Sequence, residues 1–252
     1  MYSLHPVTPE DVRSFLTRLR DLDSSHDVLK TARLAMTWLE AGDSRGPDLL
    51  SYSLARYLAL DRTSFAFVDM SFTNWEARIE RGVGMMMRPP SRLFVDAGMA
   101  RELASTFPIR LDTGKGSMAG AYVPAHLIDP LLDLYERRLV SQLVRLTDAG
   151  LDPVATMGHM LVTLQYARDQ GVGLIEAMDV HDPNARDSGN IRQADRKALP
   201  KELRQRLELA AKPARKPGLF ARLVRSGPSG GAMAAPPDPA SGEDPHRHNG
   251  AQ

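Results

Sequence analysis

The segment RLDTGKGSMAGAY, residues 110–122, concentrates residue types that could do chemistry. It contains the triplet Asp112-Thr113-Gly114, and paired aspartates can share a proton and activate water. It also combines Lys115 with three glycines, and backbone N–H groups of a glycine-rich loop can hold a phosphate. Apolar and polar residues alternate over 109–112, and a second short β-prone run follows at 121–123. We therefore predict a β-hairpin over 109–123 with a long loop.

The triplet resembles the active site of retroviral-type aspartic peptidases, over about five residues of the 252. The resemblance implies a β-barrel in which two chains each supply one aspartate. Those families place Ala or Ser after the triplet, whereas Lys115 follows here. A cation at that position would keep Asp112 ionised and oppose the shared proton. Since the chain also has a helical pattern, we do not expect peptidase activity.

The glycines do not complete a nucleotide-binding fingerprint. The nucleoside-triphosphate loop requires a glycine where this chain has Ile109, and Ser or Thr where it has Gly116. The dinucleotide fingerprint requires a helix that begins at the loop, so that the helix dipole holds the pyrophosphate. Here Tyr122, Val123 and Pro124 intervene. We expect no nucleotide cofactor.

A simpler anion site is compatible with the same region. Arg88, Arg92, Arg110, Asp112 and Lys115 lie near one another in the sequence, around a hairpin rich in backbone donors. They could bind a small anionic ligand or form the site of an enzyme. The alternative is that the cations are solvated on the surface, and the sequence favours that interpretation.

Histidine and serine patterns indicate neither a metal site nor a known catalytic motif. The seven histidines are scattered, and His159 has Ala155 and Thr163 at helical spacing instead of a second ligand. No serine lies in a Gly-x-Ser-x-Gly elbow. We predict no catalytic residues, no structural metal and no cofactor.

The elements around this segment are mostly helical by pattern. Thr8-Pro9 begins one helix, Ser25 precedes a second that ends at Gly42, and Pro47 begins a third. Phe65, Val68, Phe72, Trp75 and Ile79 predict a fourth helix with an aromatic stripe, which we interpret as core. Asp129-Pro130 and Asp152-Pro153 begin two longer helices that a short link joins into an antiparallel pair.

Composition is that of an ordinary globular chain. Hydrophobic residues make up 42%, charged residues 25%, and the net charge is +1, so no global field selects nucleic acid or membrane. The absence of cysteine excludes disulfides and thiolate chemistry. The N-terminus lacks the pattern of a secretory signal. We expect a bacterial, cytoplasmic protein, with peripheral association at the inner membrane surface as an option.

Charge is concentrated near the C-terminus. Residues 186–225 hold twelve Lys or Arg and four acids, and the last 27 residues are rich in Pro, Gly, Ser and Ala. We predict that 181–252 is a disordered tail with a basic amphipathic segment at 199–225. Its apolar and cationic side chains could bind a protein partner or an anionic membrane. The candidate contacts are Leu219, Phe220, Arg222, Leu223 and Val224. Weak, salt-dependent nucleic-acid binding is a further option.

Together these patterns predict a mainly α fold: a helical globular body, one small β-hairpin and a disordered basic tail. We expect an N-terminal helical subdomain over 1–85, and the hairpin with the helix pair over 86–180. The functional hypothesis is a non-enzymatic interaction or regulatory protein tethered by its tail. The alternative is an enzyme or a small anionic-ligand-binding domain with its site at the 109–123 hairpin.

Overall fold

The computed structural model describes residues 1–21, 26–67, 70–105, 107, 119–180 and 190–212. Within them the chain is predominantly helical, as predicted, and Met1–Lys212 forms one compact unit. The α-helices are α1 Pro9–Arg20, α2 Asp27–Glu40, α3 Arg45–Asp61, α4 Phe72–Arg78, α5 Pro90–Asp96, α6 Arg101–Ala104, α7 Ile128–Arg137, α8 Leu139–Asp148, α9 Pro153–Gln170 and α10 Lys201–Ala210. The division at 85/86 stays a prediction.

A five-stranded mixed sheet replaces the single hairpin that the sequence predicted. Its strands are β1 Tyr2–Val7, β2 Ser64–Phe67, β3 Ala119–Val123, β4 Gly173–Met178 and β5 Ile191–Gln193, in the spatial order β3-β4-β1-β2-β5. All neighbours are antiparallel except β2 and β5. The partner of β3 is β4, from fifty residues further along the chain, and residues 108–118 lie outside the described part. The sheet is therefore larger than the predicted hairpin, because the prediction considered only local pairing.

Helices cover both faces of the sheet. Neighbouring strand residues point to opposite faces, and in β4 Leu174 belongs to one buried cluster while Ile175 belongs to the other. The first cluster packs α4 and α7 to α10 against the sheet, and the second packs α1, α2, α3, α5 and α6. The sheet therefore lies between two apolar cores, and each core packs one layer of helices against it.

The central strand β1 carries a proline, which the sequence rules count against a strand. Pro6 pairs with Leu174 of β4, whereas β2 pairs with β1 only from Tyr2 to Leu4. Pro6 thus lies where β1 has a single neighbour, so its missing N–H removes no bond to β2. All six residues of β1 are buried.

The aromatic stripe is core, as predicted, but it is not one helix. Phe65 lies in β2, and α4 begins only at Phe72, after Ser71 accepts a hydrogen bond from the backbone N–H of Asn74 at 3.2 Å. Phe65, Phe72 and Trp75 are fully buried. The helical spacing misled the prediction because a strand and a short helix both direct these residues into the first core.

Several helix boundaries follow the sequence signals. Thr8 caps α1 in a capping box with Asp11, and Asp152 caps α9 by accepting from the backbone N–H groups of Val154 and Ala155. The helix predicted from Asp129 is instead divided at Arg138 into α7 and α8, and both contact α9. At the break, Arg138 has backbone angles of φ −106° and ψ 12°, which are outside the helical range.

Residues 190–212 are folded against the body, so the predicted disorder does not extend over them. β5 pairs with β2, and α10 packs on α9, where Leu199 and Leu207 meet Gly158. A Cβ on Gly158 would lie only 2.3 Å from Leu199 Cδ1, so glycine permits this close contact. The remainder of the predicted tail, 181–189 and 213–252, lies outside the described residues.

Candidate functional site

The structure describes only two members of the predicted anion site, Arg88 and Arg92. Arg88 exchanges backbone hydrogen bonds with Tyr122, which places it beside β3, but its guanidinium donates to the carbonyl oxygens of Met85 and Met87 at 2.8 and 2.7 Å. Arg92 forms an ion pair with Asp96 at 3.2 Å. Both arginines therefore have partners within the fold. Arg110, Asp112 and Lys115 lie outside the described residues.

Tyr122, the backbone partner of Arg88, is the buried residue next to the predicted anion site. Its side chain is 4% exposed in the second core, and burial raises the pKa of its hydroxyl to about 12, with Asp96 adding to the effect. A phenol that stays protonated at physiological pH can donate a hydrogen bond but cannot act as a base.

A cleft that the sequence reasoning missed opens on the α1–α2 side of the protein. We call it the arginine groove, and its volume is about 590 Å³. Helices α1, α2 and α6 and the turn between α5 and α6 line it. The lining residues are Arg13, Leu16, Thr17, Leu19, Arg20, Arg33, Met36, Glu40, Ala97, Gly98, Met99, Ala100 and Leu103.

The groove residues share helix faces. On α1 they recur at 13, 16, 17, 19 and 20, and on α2 at 33, 36 and 40, which is the spacing of one exposed stripe per helix. This signal was readable in the sequence as cations interleaved with apolar residues. Alone, it is indistinguishable from an ordinary amphipathic helix that covers a core.

A second polar arrangement lies inside the first core, at Glu176 of β4. The backbone N–H of Thr73 donates to Glu176 Oε2 at 3.1 Å, and the Thr73 hydroxyl donates to Oε1 at 2.7 Å. Burial raises the pKa of Glu176, while hydrogen bonds from Thr73, Ser71 and Phe72 oppose that rise. The carboxyl group fastens β4 to the start of α4.

The polar atoms near α4 are incompletely paired. Trp75 Nε1 donates to Gln142 Oε1 at 2.8 Å, and the Trp75 ring meets Tyr135 edge-on at 5.0 Å. Gln142 Nε2 and the Tyr135 hydroxyl are buried without a partner among the described residues. Such orphaned groups cost free energy, and burial raises the pKa of Tyr135 well above its usual value.

His159 is a third buried polar group, on α9 beneath the sheet. Its ring lies 4.6 Å from the Phe67 ring and 5.8 Å from the Phe65 ring. Burial lowers the pKa of His159 to about 4, although backbone hydrogen bonds with Ala66 and Arg192 oppose the shift. The imidazole is therefore neutral at physiological pH, and it packs as part of the core.

Within the described ranges, no group of three or more histidines, aspartates or glutamates is arranged to hold a metal ion. No helix in that same part of the chain is long and apolar enough to cross a bilayer. Comparison with protein-family models, with curated proteins and with solved structures finds no match. The candidate sites therefore rest on chemistry and geometry alone.

Proposed function

We propose that the chain is a non-enzymatic interaction or regulatory protein whose folded body is tethered to a protein partner or an anionic membrane surface by its C-terminal segment. We call residues 219–224 the tail segment. It contributes Leu219, Phe220, Leu223 and Val224 as apolar contacts and Arg222 as a cation. The body would position the tether and present its own surfaces to a regulated partner.

The observation that supports the proposal most is how the body ends. The compact unit extends to Lys212, and α10 is fixed just before that point. Leu207 of α10 is fully buried, and Arg206 pairs with Glu136 of α7 at 2.9 Å. The basic stretch that remains, 213–225, carries four Lys or Arg and no acid. The chain beyond the compact unit therefore begins with a basic stretch.

Magnitudes favour a reversible tether over a permanent anchor. Burial of four apolar side chains gives about 6–12 kcal/mol, while ordering of the six residues 219–224 costs roughly 9 kcal/mol. Each cation near an anionic surface adds about 1 kcal/mol. The sum lies near zero or is modestly favourable, so the segment would act with a prepared partner groove or in several copies.

The test replaces Leu219, Phe220 and Leu223 together by Ser in the full chain and measures co-sedimentation with vesicles of anionic and of zwitterionic lipid. We expect the wild-type chain to sediment with anionic vesicles and the variant to remain in the supernatant. A matched control replaces exposed Leu34 of α2, which is 47% exposed, by Ser and should sediment like the wild type. Equal sedimentation of the triple variant would contradict membrane tethering.

The protein-partner form of the proposal uses the same variants. Cross-linking in native lysate should recover one defined partner with the wild-type chain and the Leu34→Ser control, and lose it with the triple variant. The alternative site at the 109–123 hairpin stays a prediction, because Arg110, Asp112 and Lys115 lie outside the described residues. Phosphate titration with Lys115→Ala as the variant addresses it separately.

A further inference from the structure

The arginine groove combines an apolar floor with a cationic rim. Leu16, Met36, Met99 and Leu103 are only partly buried, and all four pack against the second core. The floor is therefore a place where that core reaches the surface. An apolar floor of this kind gains free energy when a ligand removes it from water.

The rim is positive on balance. Arg13, Arg20 and Arg33 line the groove together with a single acid, Glu40. Arg13 pairs with Glu10 at 2.9 Å, but the side chains are 52% and 77% exposed, and pairs so exposed to solvent are weak. Arg20 forms no ion pair with another described residue. A guanidinium binds a carboxylate through two parallel hydrogen bonds.

We propose that the arginine groove binds a small amphiphilic carboxylate, with its head group on the rim and its alkyl chain on the floor. The volume of about 590 Å³ lies in the range of pockets for small ligands, roughly 300–1,000 Å³. A stable protein partner would typically contact about 20–30 residues, whereas the groove has the thirteen lining residues named above. All of the lining residues belong to the body, and the proposal does not rest on the tail segment.

Charge and shape can be tested separately with matched variants of the full chain. Arg20 lies in the last turn of α1, and Arg137 lies exposed in the last turn of α7, away from the groove. Arg20→Glu tests the rim, with Arg137→Glu as its control. Thr17→Trp fills the groove, and Ser14→Trp places the same bulk one turn earlier on α1, outside the lining.

The measurement is isothermal titration calorimetry with dodecanoate below its micelle concentration, and with dodecanol as the uncharged probe. We expect one dodecanoate per chain, binding at least tenfold weaker to Arg20→Glu and to Thr17→Trp. The Arg137→Glu and Ser14→Trp controls should bind like the wild type. Dodecanol should bind at least tenfold more weakly than dodecanoate. The triple serine variant of the tail segment should bind dodecanoate like the wild type.

Four results would overturn the proposal: no dodecanoate binding, equal binding of dodecanol, equal loss in Arg137→Glu and Arg20→Glu, or loss in the tail variant. An acidic amphipathic peptide is titrated as a third ligand. Binding of that peptide without any binding of dodecanoate would also overturn the proposal, because the groove would then accept a protein segment. Normal thermal unfolding of each variant shows that a lost signal reports binding.

Discussion

Protonation of His159 should destabilise the protein in mild acid. The imidazole is 4% exposed and faces Phe65 and Phe67, and burial lowers its pKa from 6.5 to about 4. A histidine with a lowered folded pKa stabilises the fold above its unfolded pKa. That stability is lost as the pH falls from 6.5 towards 4.

The size of the loss follows from the two pKa values. At about pH 7.5 the ring is neutral in both states and contributes no pH dependence. At about pH 4.5 the unfolded ring is protonated while the folded ring is largely neutral. Linkage then lowers the free energy of unfolding by about 2.5 kcal/mol, which is a large part of a typical stability of roughly 5–15 kcal/mol.

The assay is urea denaturation of the wild type and of His159→Asn at these two pH values. The substitution lowers stability at both, but the difference between the two pH values should shrink by about 2.5 kcal/mol, because asparagine does not titrate. His126→Asn is the control, since His126 is exposed on the surface, and it should retain the wild-type pH dependence. The same pH dependence in His159→Asn and the wild type would show that His159 does not cause the loss of stability in acid.

Two further predictions concern the first core. Glu176 has a raised pKa, so the stability it contributes is lost as the pH rises from 4.5 through its folded value. Glu176→Gln should therefore flatten the decline in unfolding free energy as the pH rises above 4.5. Glu176→Ala leaves the backbone N–H of Thr73 without its carboxylate partner, while the Thr73 hydroxyl keeps Ser71 Oγ at 3.1 Å, and should cost about 1–3 kcal/mol. A decline unchanged in Glu176→Gln would contradict this. The methyl group of Gly158→Ala would clash with Leu199 and Leu207, which should lower the free energy of unfolding by about 1–3 kcal/mol. The higher helix propensity of alanine should offset roughly 1 kcal/mol of that loss. Faster hydrogen exchange of the α10 amides, with the α1 amides unchanged, is the expected result, and equal exchange in both helices would contradict it.

Short sequence patterns predicted several helix ends correctly, because capping residues near the helix end determine them. Thr8-Pro9 at α1, Gly42 after α2 and Asp152-Pro153 at α9 each fix a helix end through a cap or a left-handed turn, and the structure confirms them. The strands depend on partners far along the chain, as β1 and β4 do. The pairing register of these strands therefore cannot be predicted from any short segment of the sequence.

The candidate sites were predictable to different degrees. The basic tail segment is visible as charge and composition. The arginine groove is assembled from α1, α2, α6 and the turn at 97–100, so it becomes visible only after these elements pack together. Glu176 could not be assigned either, because a lone glutamate in GLIEAM gives no sign that Thr73 will meet it across the core.

The two proposals assign the molecule a tail segment and a groove with different binding chemistry. The tail segment would hold the body near a partner or membrane, and the groove would accept an amphiphilic carboxylate on the body itself. The dodecanoate titration of the tail variant measures whether the two proposed surfaces are coupled.

The most direct test of the tethering claim compares the full chain with a chain that ends at Lys212, the boundary of the compact unit. Both are mixed with anionic vesicles and with lysate, and the bound fraction is measured by flotation and by cross-linking. We expect the full chain to bind one of these targets and the shortened chain, still folded by circular dichroism, to bind neither. Equal binding by both chains would place the function in the body and contradict the account.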